Sequence, residues 1–261
     1  MEQSPSPSPS TGLPGVSVIG LDAPFRWLAG AWADLWRAPV PCLTYGLILS
    51  LFSFGLTSWV YSNGASYWVF ALACGFVFVA PILAMGLYEA GRRLEQDDKP
   101  TLPGMLFVRA ALRQDLAYLG LALLVIFGMW GGIAQIVYGL STSQIHRNLH
   151  DLIAFATGTF EGQRMVAVGS VIGGVIAFFA YTLVVVTAPM LLDRRNDVFV
   201  AVVTSVRTVI TNFWPMALWA LILAGMTLST AATGFLGLTL VFPWLGLASW
   251  RAYRELVPGG A

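Results

Sequence analysis

The sequence predicts an all-α polytopic membrane protein: six transmembrane helices arranged as three hairpins, each preceded by a cytoplasmic interfacial amphipathic helix. Three observations carry this reading. Cys42 to Tyr61, Tyr67 to Tyr88, Leu116 to Leu140, Met165 to Leu192 and Thr208 to Trp250 hold no charged residue. A bilayer core about 30 Å thick needs roughly 20 apolar residues in a helix, so the first four runs each supply one span and the fifth is long enough for two. The chain is 57% hydrophobic and 10% charged, against roughly 25% charged in soluble domains, and 261 residues cannot hide five such runs from water. Finally, the basic residues gather between the runs, on alternate sides.

The elements follow in order. Residues 1–20 begin MEQSPSPSPSTGLPG, a Pro/Ser-rich tail that buries too little apolar surface to order itself. It has no basic n-region and no apolar h-region, so no cleavable signal is expected, and the first span serves as an uncleaved insertion signal. Residues 21–255 form the six-helix transmembrane domain, and 256–261 a short tail.

In the first amphipathic stretch Phe25, Leu28, Trp32, Leu35 and Trp36 share a helical face, with Asp22 placed as N-cap and Pro24 in the first turn. Met105, Val108, Leu112 and Leu116 make the second stripe. Phe199, Val202, Val203, Val206, Ile210 and Phe213 make the third, with Asn196 as its cap. Pro81, Pro189 and Pro243 mark the second span of each pair, followed by Arg92 and Arg93, by Arg194 and Arg195, and by Arg251. The pattern reads as three copies of interfacial helix, span, span, with prolines kinking three inner helices. The break dividing the fifth run is expected around Ser229 to Gly234, where small residues and glycine cluster.

Sidedness comes from the basic residues. Arg26 and Arg37 precede the first span. Arg92, Arg93, Lys99, Arg109 and Arg113 fill the second connection, Arg194, Arg195 and Arg207 the fourth, and Arg251 and Arg254 follow the last span. Only Arg147 and Arg164 of the 14 basic residues lie in the third connection. The positive-inside rule then places both termini in the cytoplasm and requires an even number of spans.

The polar residues offer little chemistry. No ionisable residue sits mid-span, which argues against ion-coupled transport. Glu89 reads as an interfacial carboxylate paired with Arg92 and Arg93. His146 and His150, four apart, read as exposed imidazoles on an outer interfacial helix, since Asp151 and Glu161 could complete a metal site only through folding. Cys42 and Cys74 differ in depth by roughly 15 Å at 1.5 Å per residue, too far for a disulfide. Gly128 with Gly132, and Gly169 with Gly173, have small-xxx-small spacing and are expected at helix contacts within the bundle. Gln135, Asn63 and Asn212 form no constellation. No catalytic, cofactor-binding or metal residue is therefore named and no cofactor is expected. A net charge of +1 gives no footprint for nucleic acid.

Two segments, DAPFRWLAGAWADLWRAPVPCLTYG at Asp22 to Gly46 and GFVFVAPILAMGLYEAGRRLE at Gly75 to Glu95, resemble a bacterial family of integral membrane proteins catalogued as domain of unknown function 2189. The resemblance runs from about Leu21 to Glu255. It implies the inner membrane of Gram-negative bacteria and no established activity. Some members carry a cytochrome c oxidase label, from which this chain departs: the catalytic oxidase subunit holds haems and copper on histidines within its spans, and no histidine lies in these. The reading is a non-enzymatic accessory or assembly protein of an inner-membrane complex, with the bilayer and other membrane proteins as partners. The alternative is a transporter or channel for a neutral or apolar solute.

Overall fold

The computed structural model describes residues 13–63, 75–76, 79–108, 114–142, 149–194 and 197–258. Every regular element among them is helical. Four helices are long and apolar enough to cross a membrane: Pro39–Ser62, Gln114–Ser141, Phe160–Asp193 and Phe213–Thr233. Much of the expected second span lies outside the described residues. The expected sixth falls in Leu238–Leu256, whose last two turns carry Arg251, Arg254 and Glu255.

α1 (Ala23–Arg37) turns at Ala38 (φ −141°, ψ 59°) into α2 (Pro39–Ser62). Proline is tolerated at the first helical position because the N–H it lacks has no helical partner there. Asp22 occupies the N-cap position of α1 but makes no side-chain cap bond; its carboxylate pairs with Arg26 instead. α3 (Met85–Glu95) is followed by a short α4 (Leu102–Leu106), which Thr101 caps by accepting from Gly104 N–H at 3.4 Å. The described helix at the start of the second amphipathic stretch is one turn and a half, with Met105 and Val108 buried; Leu112 lies outside the described residues.

α5 (Gln114–Ser141), α6 (Leu149–Gly158) and α7 (Phe160–Val184) follow, α5 and α7 packing on each other. α8 (Thr187–Asp193) continues α7 after a break at Val185 and Val186. α9 (Val198–Thr211) turns at Asn212 (φ −120°, ψ 41°) into α10 (Phe213–Ser229). The cap of α9 is Asp197, accepting from Phe199 N–H at 2.7 Å; Asn196 lies outside the described residues. The predicted break at Ser229 to Gly234 is a 3-10 turn, Thr230–Thr233, ended by left-handed Gly234 (φ 59°) and Phe235 (φ 68°). α11 (Leu238–Leu256) then returns through the centre.

α11 is the hub. α1 and α2 pack along it, and α3, α8 and α10 touch it. Glycines set the closest approaches. A Cβ on Gly46 would strike the Thr239 carbonyl and the Pro243 ring, one on Gly91 would lie 2.7 Å from Trp250, and one on Gly246 2.6 Å from Leu87. Pro243 cannot donate to the Thr239 carbonyl, its helical partner, and Gly46 lets α2 close over that exposed oxygen. By contrast, a Cβ on Gly128 or Gly132 meets no described atom within 4 Å, so this small-xxx-small pair makes no helix contact among the described residues.

The first and third amphipathic stretches both leave bulky apolar residues on the outside. In α9 the buried residues are Val198, Ala201, Thr204, Ser205, Thr208 and Val209, while Phe199 is 76% and Ile210 70% exposed. In α1 the buried set is Ala23, Pro24, Trp27, Ala31, Asp34 and Leu35, while Phe25 and Trp36 are exposed. In α9 small and polar side chains face the protein and bulky apolar ones face out; α1 is mixed, since Trp27 and Leu35 face in, and Leu35 therefore parts from the expected stripe of Phe25 and Trp36.

Candidate functional site

The breaks in the helices are where backbone polar groups need partners inside an apolar body. At Ala84, Leu87 N–H and Tyr88 N–H both donate to the Ala84 carbonyl. This frees the Leu83 carbonyl, which accepts from the Tyr45 hydroxyl at 2.5 Å. At Val185 and Val186, Ser205 of α9 stands between two groups that a straight helix would join. It accepts from Val186 N–H at 3.2 Å and donates to the Thr182 carbonyl at 2.8 Å. Pro189, four residues past Val185, removes the donor that would have held that turn closed. Before α11, Ser50 donates to the Phe235 and Leu236 carbonyls at 3.0 and 3.1 Å. It steadies a non-glycine residue in the left-handed region.

Asn212 is buried and holds residues of the N-terminal segment. Its amide accepts from Ile19 N–H at 2.8 Å and donates to the Ser17 carbonyl at 2.9 Å. Ser17 N–H in turn donates to the Leu256 carbonyl at 2.9 Å.

Charge gathers at the end of the bundle where α1, α3 and α11 meet. Arg251 donates through Nε to Asp34 at 2.5 Å, Arg26 to Glu255 at 2.6 Å, and Arg254 to Glu95 at 3.0 Å. Trp27 Nε1 reaches Glu255 at 2.7 Å. Glu89, predicted to pair with Arg92 and Arg93, does so at 2.9 Å to each. Asp193 accepts from the Tyr253 hydroxyl at 2.7 Å. The hydrogen bond to Asp34 holds the Arg251 guanidinium above its usual range, and that to Glu89 does the same for Arg93. Burial, then Asp193, pushes the Tyr253 phenol up. Asp34, Glu89 and Asp193 are nearly covered, and arginine and phenol donors surround them, the partners a buried carboxyl group needs.

The pairs made by Arg26, Arg251 and Arg254 border a cleft of about 460 Å³, lined by Arg26, Asp34, Arg37, Glu95, Arg251, Arg254 and Glu255 among others. A second cavity of about 530 Å³ is apolar, lined by Leu49, Phe52 and Leu56 of α2, by Phe76 and Ile82, and by Leu123 and Phe127 of α5.

His150 is exposed, its nearest carboxylate Asp151 at 3.8 Å; His146 and Cys74 lie outside the described residues. Among the described residues no three His, Cys, Asp or Glu side chains converge as a metal site would require. Sequence reasoning missed Ser50, Ser205, Asn212 and the pairs made by α11. A buried serine leaves no periodic signal, and Asp34 meets Arg251 across 217 residues.

Long apolar helices with outward aromatic faces and buried backbone breaks satisfied by hydroxyls define a polytopic helical membrane protein. The chain is an integral membrane protein with several apolar helices, and over residues 69–193 it matches the family model described as "Predicted integral membrane protein (DUF2189)". The match takes in the Gly75 to Glu95 motif and is narrower than the resemblance from Leu21 to Glu255; the Asp22 to Gly46 motif lies before it. No curated protein and no solved structure matches the chain.

Proposed function

We propose that the protein is a six-pass bacterial inner-membrane protein with both termini cytoplasmic, and that it is a non-enzymatic accessory or assembly protein for a membrane complex. Its units are residues 23–95, 102–193 and 198–256, each an interfacial helix followed by a hairpin of spans. Two features support the units. The corners after the interfacial helices share backbone angles, at Ala38, Phe107 (φ −112°, ψ 56°) and Asn212. The packing is also cyclic: α1 lies on α11, α4 on α3 and α9 on α8, so each interfacial helix rests on the preceding unit's second span. α3, α8 and α11, which follow or contain the three prolines, touch one another at the centre.

The observation that carries the accessory role is the distribution of polarity. Charges are paired among themselves at one end, and the outward surface is apolar from Phe25 and Trp36 to Leu121, Val171 and Leu221. Such a surface is built to be held by lipid and by other membrane helices. The test is purification at native expression level in mild detergent. A membrane complex recovered in fixed stoichiometry, and lost when Leu121 and Val171 are replaced by asparagine, is the expected result. A protein that runs alone at native level would count against it.

The apolar cavity between α2 and α5 favours the second reading, a carrier for an apolar solute, because its wall is almost wholly hydrocarbon. Protein-dependent efflux of such a solute from proteoliposomes, blocked by Leu123→Trp, would move the assignment to that reading.

A further inference from the structure

We propose that the charged cleft is a headgroup site for a membrane phospholipid, in which Arg251 receives two phosphate oxygens. The inference rests on the membrane placement above. Four arginines line the cleft, Arg26, Arg37, Arg251 and Arg254, against three carboxylates, Asp34, Glu95 and Glu255. The carboxylates are already engaged. Glu255 takes Arg26 on one oxygen and Trp27 on the other, and Glu95 takes Arg254 and Trp250 in the same way. Asp34 takes Arg251 on one oxygen and faces Arg37 at 3.6 Å with the other.

Arg251 is different: it spends only Nε on Asp34. Its two terminal nitrogens form a fork beside Gly30, where a Cβ would stand 2.6 Å from Nη1. The spare hydrogen-bonding capacity of the cleft is therefore a set of donors in the planar arrangement that takes a phosphate bidentately. Gly30 lets α1 pass beside the guanidinium without a side chain that would strike it.

A free phosphate would suit the fork equally, and the helix below it decides the source. Trp244 precedes Arg251 by seven residues on α11, two turns away on the same face and about 10.5 Å nearer the membrane interior. It packs against Trp32 at 4.9 Å between ring centroids. Indoles at that depth lie against the glycerol region and first methylenes of a lipid whose phosphate is one headgroup higher.

The test is a titration of the full chain in neutral detergent, read as the midpoint of thermal unfolding. Short-chain phosphatidylglycerol, inorganic phosphate and short-chain diacylglycerol are added separately. Phosphatidylglycerol is expected to raise the midpoint, and the other two to leave it unchanged. The Asp34→Asn, Arg251→Gln double variant leaves no orphaned charge, and it should need at least about tenfold more lipid for the same shift. Arg251→Lys keeps the charge and loses the fork, and serves if the double variant does not fold; it too should respond more weakly than the parent. Arg207→Gln removes one exposed positive charge elsewhere and should titrate as the parent does.

A full shift with inorganic phosphate would make the site one for the free anion, and a full shift with diacylglycerol would remove the role of phosphate. An undiminished response in Arg251→Lys or the double variant would overturn the proposal. Because the titration is done in detergent, it is blind to sidedness. A lipid shift in a protein whose labelling pattern is reversed would sink the topology and leave the site standing.

Discussion

Ser205 is fully buried in α9, and its hydroxyl occupies the gap between the Thr182 carbonyl and Val186 N–H. Removing it leaves a buried donor and acceptor to find each other across a broken turn. Ser205→Ala should lower stability by about 1–3 kcal/mol, the range for an abandoned buried polar group. Ser205→Thr should recover most of it. Unfolding in a graded dodecyl sulfate titration measures both, and an unchanged midpoint in the alanine variant would mean that the helix closes over the break without help. Glu89 belongs to the same scale. Its pairing with Arg92 and Arg93 was legible because all three sit within one helical turn, whereas nothing near Ser205 in the sequence points to Thr182.

At the scale of elements, proximity between helices is decided by which glycines face a backbone. Gly46→Leu should cost about 1–3 kcal/mol or more, since the obstacles are the Thr239 carbonyl and the Pro243 ring rather than a side chain that can swing away. Gly128→Ala should raise helix stability by roughly 0.5–1 kcal/mol, because nothing described stands near it and alanine is the better helix former. Comparing the two unfolding midpoints separates packing glycine from tolerated glycine; equal losses would contradict the assignment. The spacing of Gly128 and Gly132 was visible in the sequence and pointed to a contact that they do not make with any described residue, while Gly169 and Gly173 do face Val137 and Trp130 of α5, since spacing fixes a face but not what the face meets. The amphipathic stripes carried a similar ambiguity. Phe199, Val203 and Ile210 do share a face, but it is the outer one, because Thr204 and Thr208 bond carbonyls of their own helix, Ser205 bonds the Thr182 carbonyl of α7, and this small polar face packs against α7 and α8.

For the whole molecule, hydropathy and charge gave the class, and the family model agrees over residues 69–193. The joining of α1 to α11 was not legible, because charge complementarity between residues 217 apart has no local signature. The proposed topology makes a direct forecast. In a chain whose two native cysteines are replaced by alanine, Lys99→Cys should react with a membrane-impermeant thiol reagent only from the cytoplasmic face, and His150→Cys only from the opposite one. Labelling of Lys99→Cys from the outer face would refute it.

The clasp between α1 and α11 also sets a schedule. α1 is made well before the surface that covers Trp27 and Asp34, because 217 residues separate Asp34 from Arg251. At roughly 5–20 residues per second of synthesis, the Asp34 carboxylate waits about 10–45 s for Arg251. Until then the ring is an open arc with a charged, aromatic loose end. A chain halted after α10 would leave Asp34 and Trp27 without the Arg251 and Glu255 partners that α11 supplies.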